Sequence, residues 1–110
     1  MKIIYISIPI TGHEDTYEKR LDEAVEYVKE KYPEYDRIIT PKYVAEELNE
    51  RLDPIIPTYK EYLSADISIL TVCDAILMCF GWINSGGCTA EWAFASAIGL
   101  KILYQDEKEE

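Results

Sequence analysis

The stretch CDAILMCFGWINSGGCTAEWAFASAIG, residues 73–99, decides the fold of this chain. Its first part, Asp74 to Phe80, is apolar after the leading aspartate, which is typical of a strand buried on both faces in a parallel sheet. A tight Gly/Ser turn follows. A helix of roughly Gly87 to Ile98 then ends at Gly99, a good left-handed C-cap. This helix carries a single acid, Glu91, among small and apolar residues.

The rest of the chain continues this alternation of strands and helices. Strands are predicted at residues 2–8, 37–40, 74–80 and 101–104, and helices at about 15–31, 43–51, 58–71 and 87–98. The order β-α-β-α-α-β-α-β requires a parallel sheet that is covered on both faces. We therefore predict a flavodoxin-like or Rossmann-like three-layer α/β/α domain with a four-stranded parallel sheet in the order 2-1-3-4. This single domain spans residues 1–104, and residues 105–110 form a charged, acidic C-terminal tail.

The charge balance limits the possible partners. The 110-residue chain has 11 basic and 21 acidic residues, which gives a net charge of −10. Such a charge repels phosphate polymers and anionic lipid, so we expect neither nucleic acid nor a membrane as a partner. A small ligand, even an anionic one, is still compatible with this charge, because backbone N–H groups at a helix start can bind it locally.

The cysteines and the histidine indicate a reduced protein without a metal. Cys73, Cys79 and Cys88 form no CxxC pair, and the chain has neither a signal peptide nor a long apolar run, so we expect a cytoplasmic protein. His13 is the only histidine, and the ligand spacings do not fit zinc. We expect no metal and no cofactor. Cys88, near a helix start, leaves open a thiol nucleophile, although no histidine base accompanies it.

Two turn-like segments are predicted to form a ligand crevice. In sheets of this type the crevice opens at the carboxyl ends of the strands, where the strand order reverses between the first and third strands. The segments that reach this point are Pro9-Ile10-Thr11-Gly12 and GWINSGG, residues 81–87. Both are therefore candidate substrate-binding segments.

Within the second segment, Trp82 and Ser85 have specific candidate roles. Trp82 offers a flat wall on which a base could stack, or else a residue of a lid or a partner interface. Ser85 is expected to cap the helix, and with the amides of Gly86, Gly87 and Cys88 it would form an anion-binding turn. A cap with nothing bound is the alternative.

Three further residues are candidates for chemistry. Glu91 lies beyond the first helical turn, where close packing on the sheet would leave its carboxylate little water and require a hydrogen-bond partner. Tyr5 on the first strand could be that partner, and Asp66 in the preceding helix could approach the same crevice. A solvated helix charge is the alternative for either acid.

These residues match a known pattern. The motif YISIPITG at residues 5–12, then Asp66, Cys73-Asp74-Ala75, Gly81-Trp82 and Ser85-x5-Glu91, resembles the nucleoside 2-deoxyribosyltransferase superfamily. The branch that the chain resembles is the DUF4406 type, which is related to the deoxynucleoside 5′-monophosphate N-glycosidases. The similarity extends over nearly the whole chain, up to Tyr104.

The resemblance implies a role for each residue. It makes Glu91 the nucleophile at the anomeric carbon, Tyr5 the residue that orients its carboxylate, and Asp66 the candidate acid at the sugar and base. Ser85 matches the serine that holds the 5′-phosphate in the glycosidases. The implied chemistry is a retaining double displacement through a glycosyl-enzyme.

The sequence thus predicts an N-glycosidase or deoxyribosyltransferase-like enzyme that acts on a nucleoside or nucleotide. The alternative is a non-catalytic module that senses or sequesters a nucleotide in the same crevice. Because a domain of this size buries little surface and the relatives associate, a homodimer or larger homo-oligomer is expected.

Overall fold

The computed structural model describes residues 1–105 and contains the predicted four-stranded parallel sheet. The strands are β1 (Ile3–Ser7), β2 (Arg37–Ile39), β3 (Ala75–Met78) and β4 (Lys101–Tyr104), and the helices are α1 (Tyr17–Lys31), α2 (Pro41–Leu52), α3 (Tyr59–Ile69) and α4 (Gly86–Ile98). The order β2-β1-β3-β4, parallel throughout, confirms the predicted topology. Of the predicted tail, all but Gln105 lies outside the described residues.

The alternation of side chains along β1 builds the two halves of the core. Ile4 and Ile6 pack with Leu21, Ala24 and Val28 of α1 on one face of the sheet. Tyr5 packs on the other face, in a cluster that includes Val44 of α2 and Ala95 of α4. Because successive side chains of a strand point to opposite faces, each residue of β1 is committed to one of these layers.

Local chemistry shifts some element boundaries from their predicted positions. Helix α2 begins at Pro41 rather than at residue 43, because the Thr40 side chain accepts a hydrogen bond from the amide of Tyr43 at 3.1 Å. Proline is favourable at the first helical position, where an N–H has no intrahelical partner. The helix predicted to reach residue 71 ends at Ile69 and continues as a short 3-10 turn, Leu70–Val72.

The start and end of α4 form as predicted and place this helix against the sheet. The Ser85 side chain accepts a hydrogen bond from the amide of Cys88 at 3.2 Å, which makes Ser85 the N-cap. Gly99 ends the helix in the left-handed conformation at φ 79°. Just before β3, Asp74 accepts a hydrogen bond from the amide of Ile3 at 2.8 Å and so ties the starts of β1 and β3 together.

None of the helices within residues 1–105 has both the length and the apolar character that crossing a lipid bilayer requires.

Candidate active site

A cavity of about 650 Å³ opens at the carboxyl end of β1, between the segment that follows β1, helices α2 and α3, and the start of α4. Its lining residues are Ile8, Ile10, Thr11, Pro41, Ala45, Tyr59, Tyr62, Leu63, Asp66, Asn84, Ser85, Gly86, Gly87, Cys88 and Glu91. This volume is in the range of small-molecule binding sites, and the position is the predicted crevice.

The carboxylate of Glu91 lies at the wall of this cavity and is held by two hydroxyl groups. Glu91 is only 4% exposed, because it shares the buried stripe of α4 with Cys88 and Ala95. The Tyr5 hydroxyl donates a hydrogen bond to Oε2 at 2.9 Å, and the Ser7 hydroxyl donates one to Oε1 at 2.6 Å. The predicted partnership of Tyr5 with Glu91 is therefore present in the structure.

Burial and hydrogen bonding act in opposite directions on Glu91. Burial raises the pKa of its carboxyl group, since the charged form loses water. The hydrogen bonds from Ser7 and Tyr5 oppose this rise. The same burial, together with the charge of Glu91, raises the pKa of the Tyr5 phenol well above its usual value, so Tyr5 stays a neutral donor.

Asp66 is the second acid of the cavity, and it is held in the protonated form. Burial, and then the negative charge of Glu91, raise its pKa to about 8, while hydrogen bonding with Tyr5 lowers it in part. At neutral pH Asp66 is thus mainly a carboxylic acid that can donate a proton. Two carboxyl groups with different environments are a common basis for dividing nucleophile and acid roles.

The structure brings most of the predicted binding residues to the cavity. Ile10, Thr11, Ser85, Gly86 and Gly87 all line it. Two residues of the first predicted segment do not. Pro9 is fully buried beside Gly81, and Gly12 is an exposed turn residue at φ 84°.

Trp82 also lies outside the cavity lining, contrary to the predicted wall. Gly81, at φ 86°, begins a 3-10 turn, and the Trp82 ring stacks on Trp92 with a centroid distance of 5.8 Å. Tyr104 is the next ring, at 6.0 Å. Aromatic packing against α4 and β4 therefore accounts for the position of Trp82.

The aromatic lining comes instead from Tyr59 and Tyr62 of α3, a helix from which the sequence analysis assigned only Asp66 to the site. Tyr59, Tyr62, Leu63 and Asp66 follow the spacing i, i+3, i+4, i+7, and all of them line the cavity. The Tyr62 hydroxyl donates to Oδ1 of Asn49 at 2.5 Å, which fixes its ring between α2 and α3. In the sequence, this i, i+3, i+4, i+7 spacing of two tyrosines, a leucine and an acid could have indicated that one face of α3 lines the cavity.

Ser7 is a further residue that the sequence analysis did not assign to the site. It lies two residues after Tyr5 on β1, so the two side chains point to the same face of the sheet. A polar residue within a buried apolar strand was the signal, since such a residue needs a partner.

The environment of Cys88 argues against the thiol nucleophile. Burial raises the pKa of this thiol, although hydrogen bonding with Ser7 and Ser85 opposes the rise. The side chain is only 3% exposed. A protonated, covered thiol is a poor nucleophile.

We expect Cys88 in the folded protein to react with iodoacetamide at pH 7 at least about ten times more slowly than in the urea-unfolded chain. Peptide mass spectrometry at timed intervals gives both rates. Equal rates would show that this thiol is accessible and ionised, and would support Cys88 as a nucleophile.

Over the described part of the chain, the cavity lining contains acidic side chains but no basic ones. None of the cavity-lining residues described above is a lysine or arginine, whereas Glu91 and Asp66 are acids. Within residues 1–105, no group of three or more His, Cys, Asp or Glu side chains is arranged to hold a metal ion.

The fold and the site together define a Rossmann-like three-layer α/β domain with a buried, hydroxyl-bound carboxylate beside a ligand-sized cavity. A family model described as a domain of unknown function, DUF4406, matches residues 2–104, and the chain belongs to this family. No curated protein matches the chain.

A solved structure shares this architecture. The chain is similar to a 2-desoxiribosyltransferase from Leishmania mexicana, with a TM-score of 0.63 and 24% sequence identity. The match covers 94% of this chain and 63% of that chain, so this protein spans less than two thirds of its neighbour. The family match confirms the predicted DUF4406 membership, and the solved structure shares the predicted fold. Membership of the wider nucleoside 2-deoxyribosyltransferase-like superfamily stays a prediction. The predicted oligomer and the cytoplasmic location stay predictions.

Proposed function

We propose that this protein cleaves the N-glycosidic bond of a nucleoside or nucleotide, with Glu91 as the nucleophile and Asp66 as the general acid. One observation carries the proposal. A buried carboxylate, held by Tyr5 at 2.9 Å and Ser7 at 2.6 Å, shares one cavity with a carboxyl group whose pKa is raised to about 8.

The first step forms a glycosyl ester on Glu91. A carboxylate oxygen attacks C1′ while the bond between C1′ and the base nitrogen breaks through an oxocarbenium-like transition state. The bonding electrons move to the base, and the proton of Asp66 passes to it, so that a neutral base leaves.

The second step releases the sugar. Asp66, now a carboxylate, removes a proton from water as the water attacks C1′, and the ester bond to Glu91 breaks. A second base in place of water would give transfer rather than hydrolysis. Both outcomes retain the configuration at C1′ because each involves two displacements.

The charges of the site fit this division of roles. The acid must be protonated and the nucleophile ionised at the same pH. The Glu91 charge helps to retain the proton on Asp66, while Ser7 and Tyr5 stabilise the ionised form of Glu91. The neighbouring rings of Tyr59 and Tyr62 offer apolar faces to a base or sugar.

Incubation with a panel of nucleosides, their 5′-monophosphates and NAD-like dinucleotides tests the proposal. Chromatography should detect free base from at least one compound. Thermal stabilisation by a compound without any base release would instead support the non-catalytic binding module. The absence of both base release and thermal stabilisation would contradict both functions.

The charge of the cavity leads to a prediction about the substrate. We expect an unphosphorylated nucleoside to give a kcat/KM at least about ten times that of its 5′-monophosphate, because no lining lysine or arginine offsets the repulsion from Glu91. Steady-state rates for matched pairs, such as deoxyadenosine and its monophosphate, measure this ratio. A preference for the monophosphate would show that the amides of Gly86 and Gly87 bind phosphate despite this charge.

A further inference from the structure

Ser7 and Glu91 form a buried polar pair within an apolar core. Ser7 is 0% exposed and Glu91 is 4% exposed, and among residues 1–105 these two are the buried residues with a polar or charged side chain that are not counted with the hydrophobic core. Each is the partner of the other, since the Ser7 hydroxyl lies 2.6 Å from Oε1 of Glu91. A buried serine that directly contacts a buried carboxylate serves that carboxylate, because burying either group alone is unfavourable.

The position of Ser7 restricts the rotation of the carboxylate group. Tyr5 and Ser7 stand two residues apart on β1, and they bind different oxygens of Glu91. The terminal torsion of a free glutamate is broad, so one hydrogen bond leaves the second oxygen free to swing. Two donors on a rigid strand fix the plane of the carboxylate relative to the cavity.

The hydrogen bond from Ser7 to Glu91 is also the shorter of the two, at 2.6 Å against 2.9 Å for the one from Tyr5. Both hydrogen bonds oppose the effect of burial on the pKa of Glu91, and the one from Ser7 lowers this pKa more than the one from Tyr5. A hydrogen bond to an ionised group is stronger than one between neutral groups, and its short length agrees with this.

We propose that Ser7 is a positioning residue that holds Oε1 of Glu91 and thereby fixes the carboxylate for attack on a ligand in the cavity. The kinetic part of this proposal rests on the proposed function. The part that concerns the carboxylate itself is measurable in the protein without substrate.

Three substitutions of Ser7 separate its hydroxyl from its volume. Ser7→Ala removes the donor, and Ser7→Thr keeps it. Ser7→Cys fills the space with a weak donor and replaces the alanine variant if that variant fails to fold. Ser96→Ala, an exposed serine on the same helix as Glu91, is the matched control.

The first measurement is the titration of the Glu91 side chain in protein with ¹³C-labelled glutamate, its signal identified by its loss in Glu91→Gln. In Ser7→Ala the midpoint should rise by about 1 to 2 pH units. Ser7→Thr and Ser96→Ala should stay near the wild-type value. An unchanged midpoint in Ser7→Ala, or an equal rise in Ser7→Thr, would overturn the proposal.

The second measurement applies if the wild-type protein releases base. We expect kcat of Ser7→Ala to fall about 10- to 100-fold with KM within about threefold, and the acid limb of its pH profile to move upward with the titration midpoint. A loss of rate without that movement would indicate a purely structural role. If the wild-type protein releases no base, the proposed function fails, but the titration still decides the role of Ser7.

Discussion

Replacing Glu91 by Gln is expected to reduce base release by at least about 10³-fold while the protein still folds. Glutamine has nearly the same shape as glutamate, but its amide cannot form a glycosyl ester at C1′. Since burial already disfavours the ionised form of Glu91, the neutral amide should leave the melting temperature unchanged or higher. Turnover and thermal unfolding of the same preparation measure both effects.

A matched variant makes this result specific. Glu50→Gln changes an exposed glutamate on α2 and should keep full turnover. Incubation of the wild-type protein with a slow substrate should also give a covalent adduct on the peptide that contains Glu91, visible by mass spectrometry. Turnover by Glu91→Gln close to that of the wild-type protein would refute the nucleophile and leave the cavity as a binding site.

Replacing Asp66 by Asn is expected to reduce the release of natural bases by about 10²- to 10⁴-fold, because the departing base no longer receives a proton. A substrate with a 4-nitrophenol leaving group needs no such proton, so the variant should retain most of its activity on it. The activity of the wild-type protein on natural bases should fall as the pH rises through about 8, where Asp66 loses its proton. An equal loss of rate on both substrate types would exclude Asp66 as the acid.

The same substitution should stabilise the protein at alkaline pH. The pKa of Asp66 is about 8 in the folded protein and 3.8 for a free side chain, so the folded state binds the proton more tightly. Stability is therefore lost as the pH rises between these values, and above about 8 an ionised Asp66 destabilises the fold. Asparagine does not titrate. The difference in melting temperature between Asp66→Asn and the wild-type protein should therefore grow, in favour of the variant, by at least about 4 °C between pH 5 and pH 9.

A control again isolates the buried site. Asp22→Asn alters an exposed aspartate on α1 and should show no such growth with pH. If the difference between Asp66→Asn and the wild-type protein is the same at pH 5 and pH 9, Asp66 does not hold its proton in the folded state. If Asp66→Asn loses activity and gains stability, Asp66 is a residue that serves function and lowers the stability of the folded protein.

Much of the fold could be predicted from sequence because its determinants are local. The apolar run before Phe80, the Ser85 cap and the Gly99 terminus each specify an element within a few residues, and the structure has all three. The alternation of strands and helices then restricts the sheet to a few parallel arrangements. The boundaries were less certain, as at Pro41, where a cap and a proline extend α2 by two residues.

The candidate site was predictable only in part. Residues close in sequence to a turn, such as Ile10, Thr11 and Ser85, reach the cavity as expected. Trp82 does not, since the direction of its ring depends on packing against Trp92 and Tyr104, which the turn motif does not encode. Tyr59 and Tyr62 reach the cavity only because α3 crosses it, and the tilt of a helix depends on its contacts.

The sequence by itself determined the parallel sheet, its strand order and the end of the sheet where the cavity opens, because side-chain periodicity and turn chemistry act over short distances. Only the tertiary structure decided which groups surround Glu91. Its partners Tyr5 and Ser7 are 86 and 84 residues away in the chain, and they reach its carboxylate because α4 packs on the face of the sheet that carries their side chains, against β3 and β4. The proton on Asp66 has the same origin, since burial and the charge of a neighbour depend on packing and not on the type of residue.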